Sequence, residues 1–151
     1  MTNMDNRDPK YWVIVASKDH VKTGVAGGFA QACHGKAAPL KRMRKDDFII
    51  CYSGKQTMGK AESCQQFTAI GKVTDDEIIE FQVSEDFCPS RRAIEFLPAR
   101  GVSILPMIGE LDFISNKKSW GYPFRFGFFE IKQCDFKLIS SQMLQKEIEY
   151  A

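Results

Sequence analysis

The chain has 151 residues, with 21 Lys and Arg against 19 Asp and Glu, a formal net charge of +2 and 44% hydrophobic residues. That length suits one domain that buries its own core without disulfide staples. The small net charge excludes a polybasic surface binder, so any nucleic-acid contact has to rest on local patches.

Residues 1–9 are polar and lack the apolar segment of an export signal. No apolar run approaches the roughly 20 residues that cross a bilayer. The five cysteines, Cys33, Cys51, Cys64, Cys88 and Cys134, are odd in number and show no C-x-x-C spacing. That usage fits a reducing, cytoplasmic setting and offers no paired metal ligands, so neither a metal nor another cofactor is expected.

Tyr11 to Ala16 is a dense β-branched and aromatic run and reads as a buried first strand that takes Trp12 into the core. Ser17 or Asp19 can cap a short helix ending near Gly24. Gly24, Gly27, Gly28 and Gly35 then oppose regular helix and allow close backbone approach around Phe29 and His34. Pro39 to Met43 suggests a helical turn. Phe48 to Ser53 and Phe67 to Val73 read as strands separated by a loop over 54–65. Asp75-Asp76 marks a turn into Ile78 to Val83, predicted to pair with the preceding strand as a hairpin. Arg92 to Phe96 alternates as a half-exposed strand does. Pro106 to Ile114 has apolar residues at helical spacing, Phe124 to Ile131 reads as the last strand, and Ser140-Ser141 begins a C-terminal helix. Strands dominate without regular helical alternation. The expected fold class is therefore α+β, a mostly antiparallel β-barrel of five or six strands with short helices around it, as a single domain over 1–151.

Catalytic signatures are missing. There are two histidines, no nucleophile elbow, no phosphate loop and no zinc-deaminase motif. What the residues offer is recognition chemistry. Trp120 lies in a polar, basic, Gly-containing loop with Lys117, Lys118 and Arg125, and aromatic stacking holds a base with roughly 1–3 kcal/mol. Basic groups occur at Lys36 to Lys45 and at Arg91-Arg92, where a solvated face is the bland alternative.

Several ordered landmarks resemble the EVE-domain family of the PUA-like superfamily. They are Tyr11 to Ser17, Gly24-Val25 to Phe29, His34-Gly35-Lys36 with Pro39-Leu40 and Met43, Ile49-Ile50 with Tyr52-Ser53, Phe67 to Gly71, Arg91-Arg92, Leu111 with Phe113-Ile114, and Trp120-Gly121 with Phe124-Arg125 and Gly127. The resemblance implies a β-barrel with a pocket between the end of the first strand, the glycine-rich segment and the Trp loop. EVE domains are similar to YTH domains, which hold a methylated adenine in an aromatic cage. The implied activity is binding of a modified base in DNA or RNA. Ser17, Phe29, His34, Tyr52 and Trp120 would form the base pocket, and Lys36, Arg42, Arg92 and Arg125 would meet phosphates. Two alternatives stand beside this one: a small enzyme acting on modified nucleosides through Lys36, and a protein-interaction domain. No membrane partner is expected.

Overall fold

The structure is a computed structural model that describes residues 8–144. Among the described residues there are eight strands: β1 (Tyr11–Val15), β2 (Phe29–Ala30), β3 (Phe48–Lys55), β4 (Ser63–Val73), β5 (Ile79–Glu80), β6 (Ser90–Phe96), β7 (Val102–Ser103) and β8 (Phe128–Ile131). Three α-helices accompany them: α1 (Lys18–Gly27), α2 (Ala37–Leu40) and α3 (Gln133–Met143). Six strands form one curled sheet in the order β2-β6-β4-β3-β1-β8, with β5 added to β6 and β7 to β4.

The sheet is a half-barrel and mixed. Most pairs are antiparallel, but β1 and β3 at its centre run parallel, from Tyr11 against Phe48 to Val15 against Tyr52. A parallel pair needs a crossover, and α1 with β2 and α2 supplies it. The expectation of a mostly antiparallel five- or six-stranded barrel therefore holds in part. β1 is apolar throughout because both its faces are covered. Tyr11 and Val13 join Ile50, Phe67 and Phe136 on one side. Trp12 and Ile14 join Leu40, Ile49 and Phe128 on the other.

Other local expectations change in instructive ways. α1 starts after Ser17, as its sequence suggests, but continues through Gly24 to Gly27 before Gly28 ends it in the left-handed region. The helix accepts Gly24 because it packs tightly: a Cβ there would stand 2.6 Å from the Phe29 carbonyl oxygen. Residues 79–80 pair with β6, not with β4, so the hairpin is formed with the following strand. Residues 105–107 make only a 3-10 turn in place of a helix over 106–114. Tyr122–Phe126 is also 3-10, so the last strand starts at Phe128. α3 ends at Met143, close to where a helix was expected to begin, because Phe136, Ile139 and Met143 already give it a buried face from 133 onward. The rest of that expected helix lies outside the described residues. Its first turn is fixed by Asp135, whose carboxylate accepts the backbone N–H groups of Asp112 and Phe113, both at 2.9 Å.

Candidate nucleobase-binding rim

The parallel pairing of β1 and β3 brings their carboxyl ends to the same edge of the molecule. Ala16 N–H donates to the Tyr52 carbonyl at 3.0 Å, and Asp19 N–H donates to the Gln56 carbonyl at 3.0 Å. The N-terminus of α1 is thereby held against the end of β3. The 117–127 loop joins the same edge, because Val15 N–H donates to the Gly127 carbonyl at 2.9 Å. A fourth segment follows: the Cys33 thiol lies 3.8 Å from the Phe126 carbonyl oxygen and donates to it. One hydrogen-bonded rim thus collects the end of β1, the end of β3, residues 33–35 and the aromatic loop.

Ser17 sits on this rim, half-buried, and its hydroxyl donates to the Asp19 carboxylate at 2.5 Å. That bond is the largest cause holding the Asp19 carboxyl below its ordinary range. Ser17 therefore spends its proton on Asp19 and keeps its oxygen as an acceptor, while Asp19 offers an ionised carboxylate. His34 is exposed and lies in a turn where Cys33, His34 and Gly35 all have positive φ, at 49°, 62° and 83°. Two successive non-glycine residues in the left-handed region store strain of order 1–3 kcal/mol each. Lys36 follows directly and is exposed.

The aromatic members divide by depth. Tyr52 is 3% exposed, and its ring stacks on Phe124 at 3.9 Å and 16°. It is a floor beneath the loop and not a free pocket wall, which corrects its expected role. Burial also pushes its phenol up to about 12. Trp120 is half-buried at the border of the larger core cluster, edge-on to Phe124 at 6.5 Å. Phe29 does not belong to this group of rings. Its ring carries the Arg91 guanidinium at 3.8 Å, on the β2–β6 side of the sheet. A ring face occupied by a guanidinium is not open to a base, so its role as a pocket wall is also corrected.

Two rings that sequence reasoning did not single out are the accessible ones. Tyr122 and Phe126 are 56% and 60% exposed, with centroids 5.6 Å apart and planes at 84°. Perpendicular rings make a corner in which a flat heterocycle can stack on one face and meet the other ring edge-on. Arg125, exposed, has its guanidinium 5.6 Å from the Tyr122 ring. The signal was present: Pro123 within the segment and Gly127 after it argue for a turn over a strand.

Among the expected phosphate contacts, Arg42 is exposed but stacks over Trp12 at 5.0 Å and Phe128 at 5.4 Å. Arg92 must be corrected. It is 1% exposed, and its guanidinium donates to the carbonyls of Leu40 at 2.7 Å, Met43 at 2.8 Å and Asp75. It ties α2 to the turn after β4 and presents nothing to a phosphate. The Lys117 ammonium is similarly engaged by the Leu111 and Ile114 carbonyls. A surface cavity of about 360 Å³ beside Arg92 is lined by Lys41, Met43, Arg44, Asp76 and Ile78 and has no ring to stack a base. Asp112, Cys134 and Asp135 lie close enough to share an ion, but the Asp135 carboxylate is already bonded to two backbone amides.

The fold is that of a small α+β domain, and the comparisons give its family. The chain belongs to the EVE-domain family, whose pattern matches residues 10–142. It is 54% identical over 129 residues to a Bacillus licheniformis protein named UPF0310 protein in gntR 5'region, covering 85% of this chain and 88% of that one. It is 46% identical over 132 residues to a UPF0310 protein of Mycobacterium avium, covering 87% and 96%. A hypothetical protein from Leishmania major shares the fold with a TM-score of 0.58 at 8% identity, covering 89% of this chain and 94% of that one. A Rhodopseudomonas palustris protein solved by NMR does so with 0.54 at 14%, covering 88% and 92%. No helix among the described residues is long and apolar enough to cross a membrane.

Proposed function

We propose that the chain is a nucleic-acid reader that holds one unstacked base, in particular a modified base of DNA or RNA, at the rim where β1 and β3 end. The observation that carries this reading is the exposed perpendicular pair Tyr122 and Phe126, flanked by Arg125 and tied to the end of β1 by the Val15 N–H and to the His34 turn by the Cys33 thiol. Exposed aromatic rings beside cations suit a flipped base, whose face stacks while its phosphates meet charge. Methylation adds apolar surface to the base and leaves its face free, so a ring corner favours the modified form. Ser17 and Asp19 supply acceptors for amino groups on the base edge. Lys36 and Arg125 neutralise flanking phosphates. Trp120 backs the loop through Phe124.

The test is binding of short DNA and RNA oligonucleotides, with and without one methylated base, by fluorescence anisotropy at low salt. Phe126→Ala and Tyr122→Ala should each weaken binding by roughly 1–3 kcal/mol, about 5- to 150-fold in Kd. Their melting temperatures should stay near that of the parent, because both rings are exposed. Unchanged affinity in both variants would exclude the rim.

A further inference from the structure

A second surface, on the opposite flank of the glycine-rich segment, has a different chemistry. Residues 75–86 contain six acids, Asp75, Asp76, Glu77, Glu80, Glu85 and Asp86, and no Lys or Arg. Within that stretch Ile79, Phe81 and Val83 alternate with polar residues and are 49%, 50% and 52% exposed. Alternate residues of an extended chain share one face. Val83 N–H donates to the Phe87 carbonyl at 2.9 Å, which brings Phe87, itself 41% exposed, beside that row. Isolated exposed apolar residues are ordinary, but four within residues 79–87 of one hairpin point to an interaction surface.

The hairpin that carries the patch is fixed to the body. The Arg91 guanidinium lies over both Phe29, at 3.8 Å, and Phe81, at 4.2 Å, while its Nε donates to the Gln31 side chain at 2.7 Å. Pro89 and Phe87 pack against the backbone of Gly35, where an added Cβ would stand 2.4 Å from the Pro89 Cβ. The strand also has an open edge. Phe81 N–H and Val83 N–H donate inward to the Pro89 and Phe87 carbonyls. The strand itself spans Ile79–Glu80, and by antiparallel alternation the backbone groups of Glu80 and Gln82 would face away from the hairpin partner. β5 pairs only with β6 among the described residues.

We propose that this edge docks an extended protein segment in which basic and apolar residues alternate, added as a further strand beside residues 79–83. Main-chain bonds to a sheet edge give affinity, and alternate side chains give specificity. The occupant's chemistry follows from charge. The segment sets six carboxylates against the one guanidinium of Arg91 over Phe81, and that negative excess is complementary to lysines or arginines and repels nucleic acid. It equally disfavours a symmetric pairing with a second copy, which would set the six acids against six more. The apolar side chains of the row stand half-open.

The probe is a fluorescein-labelled synthetic peptide of alternating lysine and valine, titrated against the full chain by anisotropy at low salt. Peptides of alternating glutamate and valine and of alternating lysine and glycine serve as controls. Saturable binding of the lysine–valine peptide alone is expected. Phe81→Ser with Val83→Ser should weaken it by about tenfold or more, with oligonucleotide binding unchanged. Glu80→Lys with Glu85→Lys leaves the apolar row intact and should weaken it also, so the proposal stays testable if the serine variant melts early. Three results would overturn the proposal: no saturable lysine–valine binding, equal binding of the lysine–glycine peptide, or no loss in either variant. Self-association in sedimentation that Phe81→Ser abolishes would also overturn it, by showing a second copy on the edge.

Discussion

Replacing Arg92 by Met separates a structural role from a nucleic-acid role at one position. Its guanidinium is buried and donates to three backbone carbonyls, those of Leu40, Met43 and Asp75. Burial lowers its pKa, and the nearby carboxylates of Asp76, Asp75 and Asp47 counter that shift. Methionine keeps the apolar stem but leaves the Met43 carbonyl and the part-buried Asp75 carbonyl without this donor, while the Leu40 carbonyl keeps the Met43 N–H at 3.3 Å; each unsatisfied buried group costs about 1–3 kcal/mol. Removing a poorly solvated charge returns part of that loss. The net expectation is a destabilisation of about 3 kcal/mol, read as a lower urea midpoint at unchanged m. A residue on a phosphate would behave differently: its loss would reduce the salt slope of binding by about one. Arg92→Met should leave that slope unchanged. A variant as stable as the parent, with a reduced slope, would refute the assignment of Arg92 to the scaffold.

Asp47 makes a comparable scaffold test, since its carboxylate accepts from the Trp12 indole at 2.9 Å and from the Lys10 and Arg44 amides at 3.0 Å each. Asp47→Ala should lower unfolding free energy by about 3 kcal/mol or more in urea titrations. Burial pushes the Cys51 thiol from 9.0 up to about 12, and burial, with the nearby Cys64, pushes the Tyr52 phenol from 10.0 to about 12. Both groups stay protonated in the fold while the unfolded chain ionises. Their contribution is thus full below about pH 9 and is lost as pH rises towards 12. Urea titrations from pH 8 to 11 should show that decline, and thiol labelling at pH 8 should modify the exposed Cys88 and Cys134 before Cys51. His34→Gly should raise thermal stability by about 1 kcal/mol by relieving a positive φ. If the imidazole contacts the base, the same change should weaken oligonucleotide binding.

The central strands were legible because burial on both faces leaves a continuous apolar run, as in Tyr11 to Val15 and Phe48 to Tyr52. Trp12 was placed in the core for the same reason. The start of α1 was legible from Ser17, but its length was not, because Gly24 and Gly27 look like breakers until the contact with Phe29 is seen. Strand direction was not legible either: nothing in the two runs says that β1 and β3 are parallel, and that pairing creates the rim. Arg92 looked like a phosphate ligand because residue type does not reveal burial. Tyr122 and Phe126 were hidden by a strand expectation over 124–131 that Pro123 and Gly127 argue against. Phe29 was misjudged because Arg91, far along the sequence but on the adjacent strand β6, covers its ring.

The most direct measurement is an NMR titration of the chain with nucleosides, one methylated on the base and one unmodified. Shifts should concentrate in the side chains of Tyr122 and Phe126 and in the amides of Ser17, His34 and Gly127, and should be larger for the methylated compound. Shifts confined to other surfaces, or none up to saturation of the nucleoside, would contradict base recognition at this rim.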